Sequence, residues 1–157
     1  MHDDLTAITE FAEETAIQAG ELIIQERRQG SMEHNYKDAT ELVTQADIKA
    51  DEFIAQRIRN AYPGHRILSE EAMPDLTQAE NLDTPLWIVD PIDGTVNYAY
   101  GHGQVAVSIA YAEKGRVRTG VVHCPFQQET FIATHGQGAL LNRMRSEEHT
   151  SELQSRM

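Results

Sequence analysis

Cysteine and tryptophan each occur once in this chain, at Cys124 and Trp87, and basic side chains are about half as numerous as acidic ones, 13 against 25. A lone cysteine cannot close an internal disulfide, so nothing points to a secreted, disulfide-stapled protein; Cys124 sits in a β-branched run and reads as a buried, inert thiol. The formal charge of −12 repels phosphate backbones and anionic lipid surfaces, which argues against nucleic acid and membrane as partners. Long apolar runs are missing too: nothing approaches the roughly 18 residues needed to span a bilayer. The acidic start MHDDLTAITE has no apolar h-region of a signal peptide. A cytoplasmic protein is therefore expected. The 7 histidines are scattered without HExxH or similar spacing, which argues against zinc. There is no internal repeat and no low-complexity tract. What is present, 157 residues of which 40% are hydrophobic and 24% charged, is the composition of one folded domain.

From Asp3 to Arg28, apolar residues recur at Leu5, Ile8, Ala12, Ala16, Ala19, Leu22 and Ile23. That spacing predicts an amphipathic helix with acids in its first turn, Arg27 and Arg28 in its last, and Gly30 as its stop. Between Met32 and Val43, two short extended stretches around Lys37, Asp38 and Ala39 read as a small hairpin or loop. A second helix is expected from Thr44, where Thr44 and Asp47 have capping-box spacing, until Pro63 and Gly64. A short strand at Arg66–Leu68, a polar surface loop from Pro74 to Thr84 and a buried strand at Leu86–Val89 come next. Val105, Val107, Ile109 and Tyr111 then alternate with small residues up to the turn Glu113–Arg116, and strands at Val117–Cys124, Thr130–Thr134 and Ala139–Leu141 complete a meander. Helices first and sheet later give an α/β fold class of the layered α+β kind, two N-terminal helices packed on a largely antiparallel sheet. The last stretch, RSEEHTSELQSRM from Arg145 to Met157, has one aliphatic residue and is not expected to pack. Its residues Arg145–Ser155 resemble the translation of a sequencing-library adapter, so the domain is expected over 1–144, with a non-native, disordered tail over 145–157.

The chemistry concentrates in WIVDPIDGTVNY, Trp87 to Tyr98. A buried strand delivers Asp90 at its carboxyl end, where ligands of open α/β sheets collect, and Pro91 is expected to turn the chain before Asp93, Gly94 and Thr95. Gly94 permits close backbone approach where a helix starts, leaving N–H groups that suit a phosphate. Two carboxylates beside an anion site are reconciled by hard divalent cations between them, because Mg²⁺ takes carboxylate, carbonyl and hydroxyl oxygens together with substrate phosphate. A second acidic pair, Glu70 and Glu71, follows the strand Arg66–Leu68 and Ser69, so the two loops can meet. Each piece also has a plain structural reading. Glu70 and Glu71 suit the first turn of a helix capped by Ser69, Asp47 suits a capping box, and Asp93-Gly94 suits a turn. Jointly they favour a site, since a buried strand seldom ends in two carboxylates with nothing to neutralise them.

LSEE at Leu68–Glu71 together with WIVDPIDGTVNY resembles the signature of the lithium-sensitive, magnesium-dependent phosphomonoesterases of the inositol monophosphatase family. KDATELVTQAD from Lys37 to Asp47, VAVSIA at Val105–Ala110 and GQGALLN at Gly136–Asn142 add to the likeness. The resemblance implies a portion of that family's phosphatase fold, and Mg²⁺ as cofactor. It implies that Glu70, Asp90 and the carbonyl of Ile92 hold a first Mg²⁺, with Thr95 beside it, and that Asp90 and Asp93 share a second. Gly94 and Thr95 would offer backbone N–H groups to the substrate phosphate. The Thr95 hydroxyl, paired with Asp47, would orient the attacking water, and Glu71 would support Glu70. The implied substrate is a small phosphorylated polyol or sugar, inositol monophosphate first among them, and relatives are commonly homodimers.

The chain departs from the family in lacking a C-terminal half with a further Trp-Asp motif, whose aspartate completes the second metal site. A truncated fragment with weak activity or none is therefore expected, while the full-length protein is expected to be a phosphatase. GHGQ at Gly101–Gln104 replaces a common Phe-Pro pair, and Tyr98 stands where phenylalanine is common, a hydroxyl that should be tolerated. Rival functions are hydrolysis of a sugar phosphate, fructose bisphosphate, histidinol phosphate or a bisphosphate nucleotide by the same metal motif, and a non-catalytic, metal-binding regulatory protein.

Overall fold

The computed structural model describes residues 4–33, 39–69 and 83–145. Helix α1, Leu5–Glu33, opens on Asp4, whose Oδ1 accepts the Thr6 N–H at 3.0 Å and whose carbonyl accepts the Ile8 N–H at 3.0 Å. The acid thus caps the helix from just outside it instead of lying in its first turn. Ile8, Ala12, Ala16, Ala19 and Ile23 form its buried stripe, as their spacing predicts. Gly30 does not stop α1, which runs on to Glu33. An interior glycine costs only about 1 kcal/mol relative to alanine, too little to end a helix that is already packed, and Arg27 and Arg28 accordingly precede the last turn.

Helix α2 covers Ala39–Ala61. Ala39–Val43 are therefore helical, not extended, and Thr44 and Asp47 lie inside the helix instead of capping its start. Local β-branched preference is a weak prior beside a helical stripe that buries Ala46, Ala50, Ile54 and Ile58 against the rest of the molecule. Residues 34–38 of the expected hairpin, residues 70–82 with Glu70, Glu71 and most of the expected surface loop, and residues 146–157 of the tail all lie outside the described residues.

Among the described residues seven strands form one sheet in chain order: β1 Arg66–Ser69, β2 Leu86–Asp93, β3 Ala106–Glu113, β4 Arg116–Cys124, β5 Glu129–Thr134, β6 Gly138–Leu141 and β7 Met144–Arg145, with a short helix α3, Thr95–Ala99, between β2 and β3. β1 pairs parallel to β2; all other neighbours are antiparallel. Alternate residues Trp87, Val89, Val107, Ile109, Tyr111, Val121 and Ile132 join the α1 and α2 stripes in one core. Trp87 is fully buried, its Nε1–H donates to His65 Nδ1 at 3.0 Å, and Phe11, Tyr62 and Tyr111 pack round it.

Tight hairpins follow from local chemistry. Lys114 and Gly115 have φ of 50° and 70°, and Asn142 and Arg143 have 48° and 65°, the paired positive φ that two-residue hairpins demand. The second hairpin creates β7, a strand beyond those expected from the pattern, and Arg145, the first residue of the expected tail, is an exposed partner of Leu140 there. Arg143 also forms a bidentate pair with the buried Glu13 at 2.7 and 3.1 Å, tying this hairpin to α1. The sheet face away from the helices carries an apolar groove of about 420 Å³ over β4 to β6, lined by Gly120, Val122, Phe131, Ala133, Ala139 and Leu141 among others. Among the described residues no helix is long and apolar enough to cross a membrane.

Candidate metal and phosphate site

Asp90 and Asp93 are three residues apart, and on a regular strand that spacing would send them to opposite faces. A bulge decides otherwise. β2 does not end at Val89, and Pro91 does not turn the chain: the strand continues to Asp93. Its register slips between Asp90, paired with Ser108, and Asp93, paired with Ala106. Three steps along β2 match two along β3, so the extra residue returns Asp93 to the face of Asp90. Proline lacks an N–H, which suits it to such a position. The burial pattern agrees. Trp87 and Val89 are buried, Pro91 and Ile92 are both buried, Asp90 is half-buried with its Oδ1 shielded from solvent, and Asp93 is exposed.

Gly94 then turns the chain with φ 91° and ψ 42°. A Cβ there would stand 2.8 Å from the Gln104 carbonyl oxygen, so both conformation and space require glycine. That carbonyl accepts the Asn97 Nδ2–H at 3.0 Å. Among the described residues no side chain caps α3; its first internal bond is from Tyr98 N–H to the Gly94 carbonyl at 2.9 Å, and the amides of Thr95, Val96 and Asn97 precede it. Tyr98 is fully buried, and its hydroxyl donates to the Ile23 carbonyl of α1 at 2.8 Å. This hydroxyl is more than tolerated: it anchors α3 to α1. Arg27, likewise, is more than a helix-end charge. Its Nη2 donates to the carbonyls of Tyr98 at 2.8 Å and His102 at 3.2 Å.

The parallel register of β1 and β2 aligns Ser69 with Val89, so the described end of β1 lies beside the residue preceding Asp90. Glu70 itself lies outside the described residues. Asp47 is half-buried on α2, a helix that packs against both β2 and α3; Thr95, also half-buried, begins α3. Ile92 is buried, which leaves its carbonyl as the group it could lend to a cation. An open cleft of about 520 Å³ adjoins the turn, lined by Asp93, Gly94, Asn97, Gln104, Gln127 and Glu129 among others.

Among the described residues no three His, Cys, Asp or Glu side chains gather as a metal cluster. The donors that do share a face, Asp90 and Asp93, are hard oxygens, with the Ile92 carbonyl between them in sequence. Such a set fits Mg²⁺ and is foreign to the nitrogen and sulfur sites of zinc. Cys124, on the cleft wall, is half-buried and not buried as its β-branched surroundings suggest; burial, then the charges of Glu129 and Asp93, push its thiol above the ordinary value, which disfavours the reactive thiolate. His123 is buried and bonded through Nδ1 to the Thr130 hydroxyl at 2.9 Å.

The sequence profile described as the inositol monophosphatase family matches residues 4–156. The chain is 43% identical over 128 residues to a protein of Pseudomonas aeruginosa named Nus factor SuhB, an alignment covering 81% of this chain and 47% of the relative. It is 34% identical over 137 residues to the inositol-1-monophosphatase of Bacillus subtilis, covering 87% and 51%. The crystal structure of inositol monophosphatase II from Staphylococcus aureus superposes with a TM-score of 0.77 at 30% identity, covering 88% of this chain and 50% of that one. The chain thus spans about half the length of the curated relatives it matches.

Proposed function

The chain belongs to the inositol monophosphatase family, and on that premise we propose that the Asp90–Thr95 turn is the metal and phosphate centre of a Mg²⁺-dependent, lithium-sensitive phosphomonoesterase acting on inositol monophosphate. The observation that carries this reading is the bulge in β2, which sets Asp90 and Asp93 on one face directly before the Gly94 turn. Glu70, Asp90 and the Ile92 carbonyl would hold one ion, and Asp90 and Asp93 would share another. When bound, Mg²⁺ lowers the pKa of a water and neutralises charge on the departing oxygen. The protein's part is positioning. The Gly94 and Thr95 amides face the phosphate oxygens, while the Thr95 hydroxyl and Asp47 orient the attacking water, a pairing supported by the packing of α2 on α3.

The Bacillus relative's name supports inositol monophosphate as substrate; another sugar phosphate, histidinol phosphate or a bisphosphate nucleotide would use the same centre. Full turnover belongs in this reading to a longer, cytoplasmic, homodimeric protein. The 157 residues alone are weakly active or inactive, as their span of about half the relatives' length suggests. Phosphate release from inositol monophosphate, followed with MgCl₂ and with EDTA, tests the reading on both the short and a family-length chain. In the longer chain Asp93→Asn should cut release at least about a hundredfold. Metal-independent turnover, or full activity of the variant, would overturn the proposal. The name Nus factor SuhB on the Pseudomonas relative favours a second reading, a regulatory protein that keeps the oxygen cluster without turnover. That reading expects partner binding to survive Asp93→Asn and wild-type hydrolysis to be absent.

A further inference from the structure

Arg27 lies on α1, far in sequence from the Asp90–Thr95 turn, yet it is bound to the segment that follows that turn. Its guanidinium carbon stands 4.3 Å from the Tyr98 ring centroid and 4.2 Å from that of Phe126. Its Nη2 donates to the carbonyls of Tyr98 and His102 at 2.8 and 3.2 Å. One helical turn earlier, the Ile23 carbonyl accepts the Tyr98 hydroxyl at 2.8 Å. Tyr98 is therefore held to α1 by its ring, its hydroxyl and its carbonyl, and its own N–H reaches back to the Gly94 carbonyl at 2.9 Å. A movement of Tyr98 must be transmitted through that last bond to Gly94 and Thr95. The planar guanidinium lies against two rings while its Nη2 donates to both carbonyls; a lysine ammonium could donate to carbonyls but has no flat face to lay on the rings.

We propose that Arg27 is a positioning residue, clamping Tyr98 to α1 so that the Gly94–Thr95 amides are held in place for a phosphate. The inference rests on the reading of that turn as the phosphate centre. Arg27 touches no reacting atom; it acts through Tyr98.

The test compares Arg27→Ala, Arg27→Lys and Tyr98→Phe with Arg143→Ala, which breaks the pair to Glu13 near the other end of α1 and serves as a control for general loosening. Two readouts are taken: amide hydrogen exchange over residues 94–102, and inhibition by inorganic phosphate of the Mg²⁺-loaded, family-length protein. Arg27→Ala should speed exchange in that segment and raise both KM and the phosphate inhibition constant about tenfold, with kcat changed less. Arg27→Lys should recover little of this, Tyr98→Phe should show a smaller loss of the same kind, and Arg143→Ala should lower Tm while leaving KM and inhibition alone. Equal effects of Arg27→Ala and Arg143→Ala would overturn the inference, as would faster exchange with unchanged phosphate inhibition, and either result leaves the proposed function intact. A wild-type protein that neither hydrolyses phosphate esters nor binds phosphate would instead overturn the functional reading, and the inference with it.

Discussion

Replacing Gly94 by alanine imposes two costs, and two other glycines allow them to be separated. At Gly94 the backbone has φ +91° and a Cβ would meet the Gln104 carbonyl oxygen at 2.8 Å. At Gly101 φ is +79° but no atom of the described residues lies within 4 Å, and at Gly64 neither feature is present among them. An L-residue in the left-handed region costs about 1–2 kcal/mol, offset by about 0.4–1 kcal/mol from the lower entropy of the unfolded chain. Gly64→Ala should therefore be neutral to slightly stabilising, and Gly101→Ala destabilising by roughly 0.5–1 kcal/mol. Gly94→Ala adds displacement of the Gln104 carbonyl and loss of its bond from Asn97, about 1 kcal/mol more, for a net cost of roughly 1.5–2 kcal/mol. That corresponds to a fall in Tm of roughly 3–8 °C for a chain of this size. Urea denaturation followed by the fluorescence of Trp87, the sole tryptophan and a fully buried one, measures all three with a common slope. A Gly94→Ala midpoint indistinguishable from that of Gly101→Ala would refute the argument that the Gln104 carbonyl closes down on this turn.

Trp87→Phe removes the indole donor to His65 and leaves a gap beside Phe11 and Tyr111, so circular dichroism during urea unfolding should show a loss of about 2 kcal/mol; an unchanged midpoint contradicts the packing described. Burial holds the His123 imidazole below its ordinary value, against the opposing pull of Glu21 and Glu13. Its neutral form is thus the folded one, and its contribution is complete above the ordinary histidine value of about 6.5 and lost as pH falls through the lower folded value. Tm measured from pH 7.5 to 5.5 should accordingly fall less in His123→Gln than in the parent, and parallel curves would refute this. Because burial, Glu129 and Asp93 raise the Cys124 thiol, its reaction with a disulfide reagent at pH 7.5 should be slower in the folded chain than in urea; an equal or faster rate would count against that environment.

Periodicity alone placed the core. The stripe Ile8, Ala12, Ala16, Ala19, Ile23 and the alternation Val107, Ile109, Tyr111 are buried as read, because a three-to-four or two-residue repeat puts apolar groups on one side of an element whatever that element later meets. Turn residues were equally legible at Lys114-Gly115, where the demand for positive φ is local. Boundaries that depend on packing were not. Gly30 and the Thr44–Asp47 pair carry genuine local end signals, yet α1 and α2 run through them, since burial along a helix outweighs a preference of a kilocalorie or so.

The candidate site divides in the same way. Its carboxylates were readable as a motif, and the need for glycine at position 94 follows from the turn that motif makes. The common face of Asp90 and Asp93 was not readable, because it depends on a slip in pairing with β3, a strand the motif does not contain. Nor was the grip of Arg27 on Tyr98 and His102: those residues are more than seventy positions apart, and hydrogen-bond geometry between distant segments exists only once the chain has closed around its core. Residue type sets what chemistry this chain can offer; tertiary pairing sets which of those groups stand together.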